Sequence, residues 1–144
     1  MPNKTTLVTG GAGFIGSHLA DRLLKLGHRV IIIDDLSAGN RDRVSAEAIF
    51  YEMDVRDPKL SDVIQKERVQ IIIHEAAQPS VPASIDDPKK DAEINILGSI
   101  NVLEAAKRNN LERLVFASSG GAVYGEPQYL PCDEIHPIQP LSPY

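Results

Sequence analysis

Gly10, Gly11, Gly13 and Gly16 follow the apolar pair Leu7 and Val8 and lead straight into a helical pattern that starts at Phe14. They satisfy Gly11-x-Gly13-x-x-Gly16, and Gly10-x-x-Gly13-x-x-Gly16 in a wider spacing. Glycines so placed allow a sharp turn out of a strand, backbone close enough to touch a pyrophosphate, and tight packing of helix on sheet. The first amides of the helix, near Phe14 and Ile15, would point at phosphates with the positive end of the helix dipole behind them. Anion binding then needs no basic residue. Asp34 lies 18 residues beyond Gly16, at the end of the apolar run Val30 to Ile33. There a carboxylate can accept hydrogen bonds from both hydroxyls of an adenosine ribose, the usual offset being about 20 residues. It would also repel a 2′-phosphate, and no arginine follows before Arg41, so NAD is expected rather than NADP.

Asp54 stands just past the carboxyl end of a third apolar run, where ligands of open parallel sheets collect. Helix capping is assigned to Asp57, next to Pro58, which leaves Asp54 for an adenine. His74-Glu75-Ala76-Ala77-Gln78 begins like the zinc motif His-Glu-x-x-His, but Gln78 replaces the second histidine and a strand precedes it, so no metal is expected. The small Ala76 and Ala77 would instead let backbone approach a cofactor. Asn95 breaks a helical pattern with a short amide that could face the sheet and hold backbone or ligand. His18 and His28 have no partner pattern and read as solvent-facing or packing residues.

These groups need a scaffold, and the sequence outlines one. Lys4 to Thr9, Arg29 to Ile33, Ala48 to Met53, Val69 to His74 and Arg113 to Ala117 read as strands. Phe14 to Leu26, closed by Gly27, reads as a helix with Ile15, Leu19, Leu23 and Leu26 as its packing stripe. Lys59 to Lys66 is a second helix, and Pro88 to Asn109 a long one with Ile96, Ile100, Leu103 and Ala106 in helical period. Ser37 to Arg43 reads as a loop. The alternation predicts an α/β fold, a doubly wound, mostly parallel Rossmann-type sheet with helices on both faces.

At 144 residues the chain fits one domain, 1–144, with a real core. A net charge of −5 argues against nucleic acid or an anionic membrane as partner. No run approaches the roughly 18 apolar residues of a membrane span, and the N-terminus has no signal-peptide pattern. The single cysteine, Cys132, allows no internal disulfide and no cysteine-based zinc site, so a cytoplasmic location is expected. Ser119 to Tyr144 differs from the rest: it holds five of the ten prolines and shows no clear period. So long an irregular run reads as a functional loop or as part of something larger.

Thr9 to His18, Asp34-Asp35-Leu36, Asp54-Val55-Arg56-Asp57, His74-x-Ala76-Ala77-Gln78, Asn95-Ile-Leu-Gly98, Ser118-Ser119 with Val123-Tyr124-Gly125, and Ser142-Pro143-Tyr144 together resemble the extended short-chain dehydrogenase/reductase family. Within it the chain is most similar to the UDP-glucose 4-epimerases and related NAD-dependent sugar-nucleotide epimerases/dehydratases, along its whole length. The resemblance implies that the glycines, Phe14 and Ile15 hold the pyrophosphate, Asp34 the ribose, and Asp54 with Val55 the adenine, with Asp35 near the cofactor. Ala76, Ala77 and Asn95 would line the inner cofactor site. Ser119 would bond the sugar's reacting oxygen, with Ser118 as the alternative because the extra glycine shifts the register by one. Tyr144 would be the base of a Tyr-x-x-x-Lys motif.

That lysine would fall four residues past Tyr144, so the chain is expected to be the N-terminal portion of a longer enzyme, inactive alone, whose substrate domain is absent. The family also implies a nucleotide-sugar substrate and a possible homodimer. Asp35 stands where Asn is more usual and Glu75 where an apolar residue is more usual, both adding negative charge near the cofactor. Gly120, Gly121 and Ala122 offer no acid after the active-site hydroxyl, which favours an epimerase over a 4,6-dehydratase or decarboxylase. A non-catalytic NAD-binding module is the alternative of another class.

Overall fold

The computed structural model describes residues 3–144. Five strands form one sheet: β1 (Thr5–Thr9), β2 (Arg29–Asp34), β3 (Ile49–Glu52), β4 (Ile71–His74) and β5 (Arg113–Phe116). Their order across the sheet is β3-β2-β1-β4-β5, with every neighbouring pair parallel. Leu7, Val8 and Ile31 to Ile33 have no exposed surface, as expected of strands covered on both faces. This is the doubly wound Rossmann-type sheet that the strand and helix alternation predicts.

Each face carries its own core. Helix α1 (Phe14–Lys25) lies over Val8, Val30 and Ile32, while α2 (Leu60–Glu67) and α5 (Ser99–Arg108) lie over Leu7, Ile31, Ile33 and Ile72. Each long helix buries only part of the stripe read from its apolar residues: Leu23 and Ala106 pack against the cores, while Ile15, Leu26, Ile96, Ile100 and Leu103 stay exposed. In α1 the buried residues are Gly16, Ser17 and Ala20, while Ile15 is 60% exposed. In the long helix Gly98, Val102 and Ala105 are buried, and Ile96, Ile100 and Leu103 face outward. Close approach of helix to sheet selects small residues, so the largest side chains do not mark the inner face.

The segment before the long helix holds a short helix that the sequence reading passes over, α3 (Val81–Asp86), with Ala83 N–H donating to the Ser80 hydroxyl at its start. The long helix itself is α4 (Pro88–Ala92), a π-helical turn over Glu93–Gly98, and α5. Residues 37–43 form a loop ending in one 3-10 turn, Arg41–Arg43. The final stretch contains only one short helix, α6 (Gly120–Val123). No helix among the described residues is long and apolar enough to cross a membrane.

Because all strands are parallel, their carboxyl ends share one edge, and the loops carrying Gly10, Asp34, Asp54, Ala76 and Ser119 all leave from it. The chain reverses its direction of winding between β1 and β4, which opens a crevice there.

Candidate functional site

The glycine loop is built for close backbone contact. Gly10 has φ +68°, and a side chain there would put its Cβ 2.7 Å from Ala76 N. A Cβ on Gly16 would lie 2.2 Å from the Gly10 carbonyl oxygen. Both positions exclude any larger residue. Gly13 occupies the cap position of α1 in extended backbone and supplies no side chain to the helix amides. Among the described residues no hydrogen bond uses the N–H groups of Phe14 or Ile15, and both side chains are largely exposed. Free amides, an uncapped helix start and a loop with no Cβ atoms over it fit a pyrophosphate.

Asp34 is 8% exposed, and its two oxygens accept hydrogen bonds from Ala12 N–H and Leu36 N–H, each at 2.9 Å. Gly39 packs so close that a Cβ there would sit 2.6 Å from Oδ1. The carboxylate is thus fixed between the glycine loop and the loop after β2. A carboxylate has about four acceptor sites, so two remain for ribose hydroxyls. Asp35 turns outward and accepts from the Ser37 amide and hydroxyl.

Asp54 forms an ion pair with Arg56, whose Nε lies 3.0 Å from both carboxylate oxygens, and Arg56 also reaches Glu93 at 3.7 Å. Hydrogen bonding from Arg56 holds the Asp54 carboxyl below its ordinary value. Val55 packs into the core, and its carbonyl accepts from Asn101 Nδ2 at 2.7 Å. Asp57 accepts from Lys59 N–H at 2.8 Å in the turn before α2, but the cap position of α2 is Lys59, with no side-chain cap, so the capping role expected of Asp57 is not the one it takes.

Asn95 holds backbone: its Oδ1 accepts from Gln78 N–H at 2.8 Å, and its Nδ2 donates to the Gln78 carbonyl and to Asp91 Oδ1. Ala76 N–H donates to the Thr9 hydroxyl at 3.3 Å, and Ala77 is exposed. Burial pushes the Glu75 carboxyl above its ordinary value. Ser119 is half-buried at the start of α6, Ser118 is exposed, and Tyr144 is half-buried. No hydrogen bond among the described residues joins Ser119 to Tyr144. No cluster of three His, Cys, Asp or Glu among the described residues could hold a metal ion.

A family model described as the NAD dependent epimerase/dehydratase family matches residues 6–144. The chain belongs to that family. Among its relatives the putative UDP-glucose 4-epimerase of Methanocaldococcus jannaschii is 52% identical over 138 residues, which is 96% of this chain and 45% of that protein. Of solved structures, the Thermotoga maritima UDP-glucose 4-epimerase with UDP-glucose superposes with a TM-score of 0.94 at 40% identity, covering 97% of this chain and 46% of that one. The Thermus thermophilus UDP-glucose 4-epimerase in complex with NAD gives 0.93 at 44% identity, with the same coverage. The chain therefore spans a little under half the length of these epimerase/dehydratase relatives.

Several contacts in this epimerase/dehydratase fold escape sequence reasoning. The ion pair of Arg56 with Asp54 is not expected from the sequence, which gives Arg56 no role. His74 against Thr9 and Ser99 joins residues 65 and 25 positions apart, for which one sequence carries no local signal.

Proposed function

We propose that this chain is the NAD-binding portion of a sugar-nucleotide 4-epimerase of the UDP-glucose/UDP-galactose type. The observation that carries the reading is the glycine loop with free amides at Phe14 and Ile15 set beside an Asp34 carboxylate fixed by Ala12 and Leu36. The named relatives, with NAD in one structure and UDP-glucose in another, support the choice of cofactor and substrate.

Gly10, Gly11, Gly13 and Gly16 admit the pyrophosphate, the Phe14 and Ile15 amides bond it, and Asp34 takes the ribose hydroxyls. Asp54 and Val55 border the adenine, with Asp35 at the rim, and Ala76, Ala77 and Asn95 flank the inner end. NAD, when bound, supplies transient acceptance of hydride from sugar carbon 4 and its return to the opposite face. Ser119 bonds the 4-oxygen, and the Tyr144 phenolate removes its proton. A phenol with an ordinary pKa near 10 needs a neighbouring positive charge to act near neutrality, which the expected lysine four residues on would provide. A nucleotide sugar is the substrate, and the pairing of two copies through the long helix suits its outward Ile96, Ile100 and Leu103. The 144 residues alone turn over no substrate.

The uninterrupted reading frame is to be expressed and assayed with UDP-glucose, UDP-galactose and their N-acetyl forms. Interconversion at carbon 4 is the expected result. Loss of water or carbon dioxide instead, or NAD binding without turnover of any sugar nucleotide, would overturn the epimerase reading.

A further inference from the structure

His74, which carries no metal motif, is 3% exposed at the end of β4, opposite Thr9 of β1 and Phe116 of β5. Its Nδ1 lies 2.6 Å from the Thr9 hydroxyl and its Nε2 3.1 Å from the Ser99 hydroxyl. The neighbours of those hydroxyls fix where the protons are. Ser99 O–H donates to the Asn95 carbonyl at 2.7 Å, so Ser99 Oγ accepts from the imidazole, and Nε2 carries the hydrogen. A neutral ring then has Nδ1 free to accept from Thr9 O–H, while Thr9 Oγ1 accepts from Ala76 N–H. Every donor meets an acceptor in one direction, from Ala76 through Thr9, His74 and Ser99 to the main chain of Asn95.

Asn95 completes the path, because its side chain clasps Gln78, and both Asn95 and Gln78 donate to Asp91. Segment 76–78 is therefore tied at one end to Thr9, the residue before the glycine loop, and at the other to the π-helical turn. Gly10 touches Ala76 with no room for a methyl group between them. The imidazole is the spacer that sets β1, β4 and the π turn relative to one another.

We propose that His74 is a positioning residue for the bound dinucleotide, fixing the gap between the glycine loop and the Ala76–Gln78 segment that form the two lips of the crevice. This rests on the cofactor reading above. Burial keeps the ring neutral by pushing its pKa down to about 4, so the hydrogen-bond direction persists across the neutral range.

The test uses the full-length protein with 15N-labelled histidine and NAD titrations of the parent, His74→Phe, Ser99→Ala and the double variant. His74→Phe retains an aromatic ring against Phe116 but makes neither hydrogen bond. The expected result is a single Nε2–H tautomer in the parent from pH 5 to 8. The NAD dissociation constant should rise about tenfold in each single variant and no further in the double, because both break one path. A parent that binds NAD while both single variants bind it equally well, with only lower melting temperatures, overturns the proposal and leaves the cofactor reading intact. A hydrogen on Nδ1 also overturns it. A parent that binds no NAD overturns both. Should His74→Phe fail to fold, the half-buried Ser99→Ala carries the comparison.

Discussion

Two buried histidines hold two parts of this molecule in opposite ways. His74 binds Thr9 and Ser99, 65 and 25 residues away, as an Nε2–H tautomer. His136 accepts from Gln128 N–H at Nε2 and donates from Nδ1 to the Pro137 carbonyl, so it is the Nδ1–H tautomer, and its partners lie eight residues and one residue away. The crevice is thus locked by contacts that cross the sheet, and the final stretch by contacts within itself. His136 packs edge-on against Tyr124 and at a tilt against Tyr129, and Gln139 N–H reaches back to the Val123 carbonyl, but Leu130, Ile135, Ile138 and Leu141 all point outward at 70% exposure or more. The crevice should open only with the whole domain, whereas the final stretch should open locally and at lower cost.

The largest effect is expected where the crevice has no slack. Gly16→Val drives a side chain into the Gly10 carbonyl, and should lower stability by about 3 kcal/mol in urea melts and remove NAD binding in calorimetry. A stable variant that still binds NAD would mean the loop is far softer than its contacts imply.

Next in size is a pH effect. Burial alone shifts His74 from 6.5 to about 4. The unfolded chain therefore binds a proton in a range where the folded chain does not. Stability from this group is complete above pH 6.5 and falls by about 3 kcal/mol as the pH drops toward 4. Urea midpoints between pH 7 and pH 4.5 measure this, and His74→Phe should flatten the slope. An equal slope in the variant would assign the loss to other groups.

Asp34→Asn should weaken NAD binding about tenfold, because an amide supplies one acceptor oxygen where the carboxylate supplies two. The smallest effect belongs to the other region. His136→Ala should speed limited proteolysis between Tyr124 and Tyr144 while moving the global unfolding midpoint by less than about 1 kcal/mol and leaving NAD affinity unchanged. A global loss as large as that of Gly16→Val would show that the two regions are one cooperative unit.

What could be read from the sequence follows the same division. The glycine spacing, Asp34 and the all-apolar strands are local patterns, and they suffice for the parallel sheet. The long helices are legible but their inner faces only in part: Leu23 and Ala106 reach the cores, while Gly16, Ala20, Gly98 and Ala105 bury little area yet set the approach distance, and the conspicuous Ile96, Ile100 and Leu103 point away. Asn95 was legible as a helix residue that could hold backbone. His74 was set aside as half of a zinc motif, since its partners are brought to it only by sheet register and by the π turn. Proline-rich residues 119–144 carry no period, so even the short α6 and the His136 cluster were invisible.

The most direct measurement is a crystal structure of the protein grown with NAD. The account predicts the pyrophosphate within hydrogen-bond distance of the Phe14 and Ile15 amides, and both adenosine ribose hydroxyls on the Asp34 carboxylate. An empty glycine loop, or an Asp34 bonded only to Ala12 and Leu36 with the nucleotide elsewhere, would contradict it.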